Sequence, residues 1–125
     1  MSSIQVADQT FVAAQPARVA DLIGTPAKWR TWWPDLSLRV GENRGDKGIR
    51  WTVSGPVDGT MEVWLEPALD GVIIHYFMHA EPTGGDRTSP DYAELNRVRR
   101  VAGKRMSFDV KATLEAGRAA GEPPR

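Results

Sequence analysis

The chain has 125 residues, no cysteine, and 16 basic against 16 acidic side chains. A chain of that length buries a sizeable core without disulfide or metal. The missing cysteine excludes thiol catalysis, disulfides and thiolate-bound zinc. Balanced charge gives no global field for nucleic acid. No apolar run approaches the ~20 residues of a membrane span, and the start Met1-Ser2-Ser3-Ile4-Gln5-Val6 lacks the basic-then-apolar pattern of a signal peptide. A single cytoplasmic domain over residues 1–125 is the expectation.

Residues 4–13 read as an extended strand, with Ile4, Val6, Thr10 and Val12 on one side and Phe11 on the other. Pro16 suits a first helical turn, and Val19, Leu22 and Ile23 follow at helical spacing until Gly24. Thr25-Pro26 restarts a helix as N-cap and first-turn proline, and Pro34 closes it. Three of the five tryptophans, Trp29, Trp32 and Trp33, fall on this second short helix and its end. Rings that each bury roughly 150–250 Å² are costly to leave in water, so the cluster is either a core anchor or the wall of an apolar pocket. Trp29 and Trp33 are assigned to the wall and Trp32 to a clamp on the last helix.

Four strand-like runs follow at Leu36–Glu42, Lys47–Ser54, Thr60–Glu66 and Val72–Ala80, separated by Gly, Asp and Asn clusters with hairpin chemistry. Pro82 to Pro90 is a polar loop. From Asp91 to about Gly117 apolar residues recur as Leu95, Val98, Ala102, Met106, Val110 and Leu114, which predicts a long amphipathic helix. Val101 and Phe108 widen its stripe, and Arg97, Arg100, Lys104 and Lys111 make an opposite, solvated face. Residues 118–125 are expected to fray. The order strand, two short helices, antiparallel strands, long helix is an α+β layout.

Parity assigns the faces of the last two strands. A two-residue Asp70-Gly71 turn, or a four-residue loop, pairs odd positions of the third run with even positions of the fourth. One face then carries Met61, Val63, Leu65, Ile74, Tyr76 and Met78, and it is assigned to the helix side. The other carries Glu62, Trp64, Glu66, Ile73, His75, Phe77 and His79. The same logic, with an odd-length loop over Gly55–Gly59, puts Ile49, Trp51 and Val53 inside and Arg50 outside near Glu66. The predicted ligand-lining set is therefore Trp29, Trp33, Trp51, Met61, Val63, Leu65, Ile74, Tyr76, Met78, Leu95, Ala102 and Met106.

Catalytic and metal motifs are weak. His75 and His79 share a face but lie roughly 13 Å apart at ~3.3 Å per residue, too far to hold one ion. Surface pairing with Glu62 or Glu66 is the simpler role for them. Ser54 and Ser107 lack a nucleophile-elbow context, and the glycines of Asn43–Gly48 lack phosphate-loop spacing. Tyr76 is the one candidate donor inside an apolar pocket; its structural alternative is a buried hydroxyl served by backbone or water. No cofactor and no metal are expected. On the outer face, Trp64, Ile73 and Phe77 form an apolar patch that suggests a homodimer.

The segments Phe11-Val12-Ala13-Ala14-Gln15-Pro16-Ala17-Arg18-Val19 through Trp32-Trp33-Pro34, Arg44-Gly45-Asp46-Lys47-Gly48-Ile49-Arg50-Trp51, and Gly59-Thr60-Met61-Glu62-Val63-Trp64-Leu65-Glu66-Pro67 with Asp70-Gly71-Val72 onward carry a resemblance. The chain resembles the polyketide cyclase/dehydrase-like proteins of the START-like, Bet v 1-like (SRPBCC) helix-grip superfamily, small actinobacterial members in particular. The resemblance spans nearly the whole chain through packing and turn positions, and none of its motifs is a catalytic signature. It implies a curved antiparallel sheet around the C-terminal helix, in the order first strand, fifth, fourth, third, second. The superfamily usually has six strands after its helix pair, whereas four are counted here. The implied function is binding of a hydrophobic small molecule between sheet and helix. The alternatives are an aromatase/cyclase-type enzyme using Tyr76, and a non-catalytic interaction protein whose cavity is filled by its own side chains.

Overall fold

A computed structural model of the chain describes residues 3–83 and 92–116. Strand β1 (Ile4–Val12) leads into helices α1 (Pro16–Ile23) and α2 (Pro26–Trp32). Strands β2 (Ser37–Asn43), β3 (Gly48–Ser54), β4 (Val57–Ala68) and β5 (Gly71–Pro82) follow, and helix α3 (Tyr92–Leu114) closes the order. The five strands form one antiparallel sheet, β1-β5-β4-β3-β2. This α+β helix-grip layout is the one expected, down to the strand order. The predicted frayed tail, the ends of the last helix at Asp91 and Gly117, and most of the Pro82–Pro90 loop lie outside the described residues.

Proline starts both short helices where a missing N–H costs nothing. Thr25 stands at the N-cap position of α2, but its hydroxyl donates back to the Asp21 carbonyl at 2.8 Å instead of capping. That bond, and Gly24 N–H to Ala20 O at 2.8 Å, ties off the end of α1.

The inner face of the sheet is as the parity argument expects. Met61 pairs with Met78, Val63 with Tyr76 and Leu65 with Ile74, and all six are at most 2% exposed. Trp51 pairs with Met61 on the β3 side, and Ile49, Trp51 and Val53 all point inward. The connecting turn is Leu69-Asp70, one residue before the expected Asp70-Gly71, because Ala68 pairs with Gly71. Leu69 takes the left-handed conformation there, at φ 52°. Sliding a two-residue turn by one position moves the pairing by two residues, so the faces are unchanged. Gly48 opens β3 at φ 132°, and a Cβ there would lie 2.0 Å from the Val63 carbonyl oxygen, so only glycine lets β3 approach β4 at this point.

Three surface assignments differ from expectation. Arg50 lies opposite Glu62, not Glu66; Glu62 takes the guanidinium of Arg44, and Glu66 takes His75 at 2.9 Å. On α3, Val98 and Phe108 are 39% and 53% exposed. The inward line instead runs through Arg99, Gly103, Met106, Ser107, Val110 and Leu114. Lys104 and Lys111, expected in a solvated face, clamp α3 onto β1. Lys104 reaches Asp8, Thr10 and the Gln9 carbonyl at 3.0–3.3 Å, and Lys111 reaches the Phe11 carbonyl at 2.9 Å. Phe108 points away from the sheet, with the Lys104 ammonium 5.2 Å from its ring centre.

Candidate functional site

The tryptophan run organises the space between α2, α3 and the sheet. Trp33 is 1% exposed and meets Trp51 edge-on, with ring centres 5.5 Å apart. It lies nearly parallel to Tyr76 at 6.2 Å. Trp29 is half-buried, meets Trp51 edge-on at 5.4 Å, and donates its indole N–H to the Ile23 carbonyl at 2.6 Å. Trp32 meets Trp33 edge-on at 5.7 Å and donates to Asp109 of α3 at 2.8 Å. Each such ring pair contributes about 0.5–1.5 kcal/mol beyond area burial. The cluster therefore fixes α2 to α1, to β3 and to α3 at once.

Below these rings the grip is tight. A Cβ built on Gly103 would fall 2.3 Å from the Tyr76 ring, so α3 rests directly on the tyrosine. Burial pushes the Tyr76 phenol well above its ordinary range, against a smaller downward pull from Arg99 and the Trp33 N–H. Its hydroxyl donates to the Met61 thioether at 3.3 Å, a weak acceptor. Tyr76 is thus a protonated donor, unsuited to act as a base. Two further polar atoms in this interior, Trp51 Nε1 and Ser107 Oγ, are buried without a hydrogen-bond partner among the described residues. Each such group costs about 1–3 kcal/mol when left unserved.

Open volume lies on the other side of α2. A groove of about 710 Å³ runs between α2 and α3. Its apolar floor is Trp32, Val98, Val101 and Ala102, and Pro34 stands at one end. The residues Val98, Val101, Ala102, Arg105 and Asp109 recur at helical spacing, so they form a second stripe on α3 beside the inward one. Four cations (Lys28, Arg97, Arg99, Arg105) and two carboxylates (Asp35, Asp109) border it. Lys28 lies 3.8 Å from Asp109, and Arg97 holds Glu94 of its own helix at 2.7 Å.

Arg99 is the unusual member. It is 6% exposed, and its fork donates to both oxygens of Asp35, at 3.1 and 2.5 Å. The Asp35 side chain, on the connection after α2, remains 47% exposed. Hydrogen bonding from Arg99 holds the Asp35 carboxyl below its usual range, and burial opposes this only in part.

Of the predicted lining residues, Trp33, Trp51, Met61, Val63, Leu65, Ile74, Tyr76, Met78 and Met106 sit together on the inner face, and Trp29, Leu95 and Ala102 pack at its margin. Ala102 also lines the α2–α3 groove. Val63 and Leu65 border a void of about 20 Å³ beneath α1, room for about one water. Arg99, Asp35 and Arg105 were not anticipated. The second stripe on α3 was legible as a spacing, but a charged residue at an inward position reads as a break in the apolar face. On the outer face Trp64 is 41% exposed and stacks on His75 at 4.6 Å, with Phe77 beyond His75 at 6.4 Å.

Among the described residues no three His, Asp or Glu side chains are grouped to hold a metal, and no helix is long and apolar enough to cross a membrane. No family model and no curated protein matches the chain. Solved structures do. A START superfamily protein from Mycobacterium smegmatis matches with TM-score 0.70 at 10% identity, over 89% of this chain and 97% of that one. The Aha1 protein of Colwellia psychrerythraea, solved as a dimer, matches with TM-score 0.62 at 15% identity, over 93% and 99%. Ara h 8.0201 matches with TM-score 0.50 at 14% identity, over 85% and 96%. With the strand order and the gripped helix described above, these likenesses establish that the chain has the START-like, Bet v 1-like helix-grip fold.

Proposed function

We propose that the chain binds a hydrophobic small molecule, entering through the groove between α2 and α3. The observation that carries this is the groove itself, about 710 Å³ over a floor of Trp32, Val98, Val101 and Ala102. Ligand sites of this kind run to ~300–1,000 Å³ and combine an apolar surface with a few placed polar groups. The ring layer of Trp29, Trp33, Trp51 and Tyr76 is joined to the groove through Trp32, which packs edge-on against Trp33. Met61, Val63, Leu65, Ile74, Met78, Leu95 and Met106 pack beneath these rings. The partnerless Trp51 N–H and the Ser107 hydroxyl give this interior donors for a ligand carbonyl. Tyr76, held protonated by burial, adds a third donor and no base.

Native mass spectrometry of protein purified from its own host tests this reading. The expected result is a co-purifying small molecule, lost on organic extraction and absent from an Ala102→Trp variant that fills the groove floor. Bare protein mass from the native host, unchanged on incubation with an extract of that host's lipids and metabolites, argues against it.

A second reading, an interaction protein with a filled interior, is favoured by the contact of Tyr76 on Gly103. It places a homodimer on the outer sheet face through Trp64, Ile73 and Phe77, and the fold relative from Colwellia psychrerythraea is itself described as a dimer. Sedimentation at high micromolar concentration separates the cases: a dimer that Trp64→Glu dissociates supports it, and a monomer removes it.

A further inference from the structure

We infer that Arg99 is the recognition residue for an acidic end of the ligand, a carboxylate, and that Asp35 occupies its guanidinium as an internal stand-in that the ligand displaces. This rests on the binding reading above and names the class of molecule the groove takes.

The two members of the Arg99–Asp35 pair are unequally exposed. Arg99 is almost sealed, with 7% of its side chain exposed, whereas its partner carboxylate is 47% exposed. Here the fixed member projects from the middle of a 23-residue helix, and the exposed member rides on a short connection between α2 and β2. An arginine fork presents two parallel N–H donors matched to any carboxylate, so a ligand carboxylate can repeat the geometry that Asp35 makes at 3.1 and 2.5 Å.

Free-state energetics require such a stand-in. A buried guanidinium left without an anion is strongly destabilising, by about 3–5 kcal/mol when a partner is simply removed. A binding protein that keeps an arginine for its ligand must therefore neutralise it while empty, and a carboxylate on a short connection does so while remaining displaceable. The surrounding charge points the same way. Lys28, Arg97 and Arg99 are paired with Asp109, Glu94 and Asp35, so the excess positive charge along the groove is that of Arg105, which favours an anion. Trp32, Val98, Val101 and Ala102 line the same groove as Arg99, so an amphiphile with one acidic terminus finds both apolar surface and the guanidinium there.

Calorimetric titration of dodecanoate and dodecanol into wild type, Asp35→Asn, Arg99→Lys and Arg99→Met tests the inference, with circular dichroism reporting folding. Wild type is expected to bind dodecanoate more tightly than dodecanol. Asp35→Asn removes the competitor's charge while keeping its shape, so dodecanoate binds about tenfold tighter and dodecanol is unchanged. Arg99→Lys loses the fork and with it most of the preference, and Arg99→Met, where it folds, loses all of it. Dodecanoate affinity that is unchanged or weaker in Asp35→Asn overturns the exchange of partners. A carboxylate preference that survives Arg99→Lys in full overturns the assignment of Arg99. Dodecanol binding with no carboxylate preference leaves the hydrophobic site standing and removes this inference alone. Failure of both ligands in every folded variant removes both.

Discussion

Gly103 decides how closely α3 approaches the sheet. In an exposed helix interior, replacing glycine by alanine stabilises by ~1 kcal/mol. Here the added methyl would stand 2.3 Å from the Tyr76 ring, which is itself held by Trp33. Overpacking of that kind costs about 1–3 kcal/mol, so Gly103→Ala is expected to lower the urea midpoint, and a raised midpoint would show that α3 has slack. The sequence marks Gly103 only as an interruption in an otherwise helical run; its meaning depends on which residue faces it from β5. Arg99 was illegible for a related reason. A lone arginine at an inward position carries no mark that a carboxylate 64 residues away meets it.

The same pair sets an acid response. Because Arg99 depresses the folded-state pKa of Asp35, the stability it confers is present above the unfolded value of ~3.9 and is lost as pH falls through the lower folded value. Half-exposure of Asp35 screens the effect. The expected outcome is that wild type loses stability relative to Asp35→Asn as pH falls below ~4. Parallel stability curves for the two proteins across that range would contradict it.

At the scale of elements, α2 is a short helix secured by its side chains. Trp29 ties it to the end of α1, Trp32 to Asp109 on α3, and Trp33 to the centre of the sheet. A seven-residue helix has little stability of its own. Trp32→Phe keeps the groove floor apolar but removes the indole donor, and is expected to cost about 1 kcal/mol. Its urea slope should be unchanged, because the fold stays the same. The strands were the most legible elements, since period-two patterning fixes faces whatever the turn. Moving the β4–β5 turn to Leu69-Asp70 changed each partner and no face. Helix α3 was legible in extent but not in orientation. Phe108 carries the same apolar signal as Met106, yet two positions further along the helix its side chain points outward, beside the Lys104 ammonium.

For the molecule as a whole, a five-stranded sheet grips a helix with direct contact at Tyr76 and Gly103, and the open volume is displaced to the α2–α3 side. The helix-grip architecture followed from element order and periodicity together with the family resemblance. The groove did not, because it depends on where two helices diverge, a distance that no local pattern encodes. Its contents are the central claim, and the Trp32 indole N–H is the nearest reporter, standing in the floor with its bond to Asp109. Nitrogen–proton correlation spectra follow the five indole signals separately during titration with dodecanoate, the Trp32 signal being identified by its loss in Trp32→Phe. The account predicts that the Trp32 signal shifts first and saturates, while the signal of Trp64, on the opposite face of the sheet, stays in place. A Trp32 signal that does not move, or a Trp64 signal that moves instead, would contradict it.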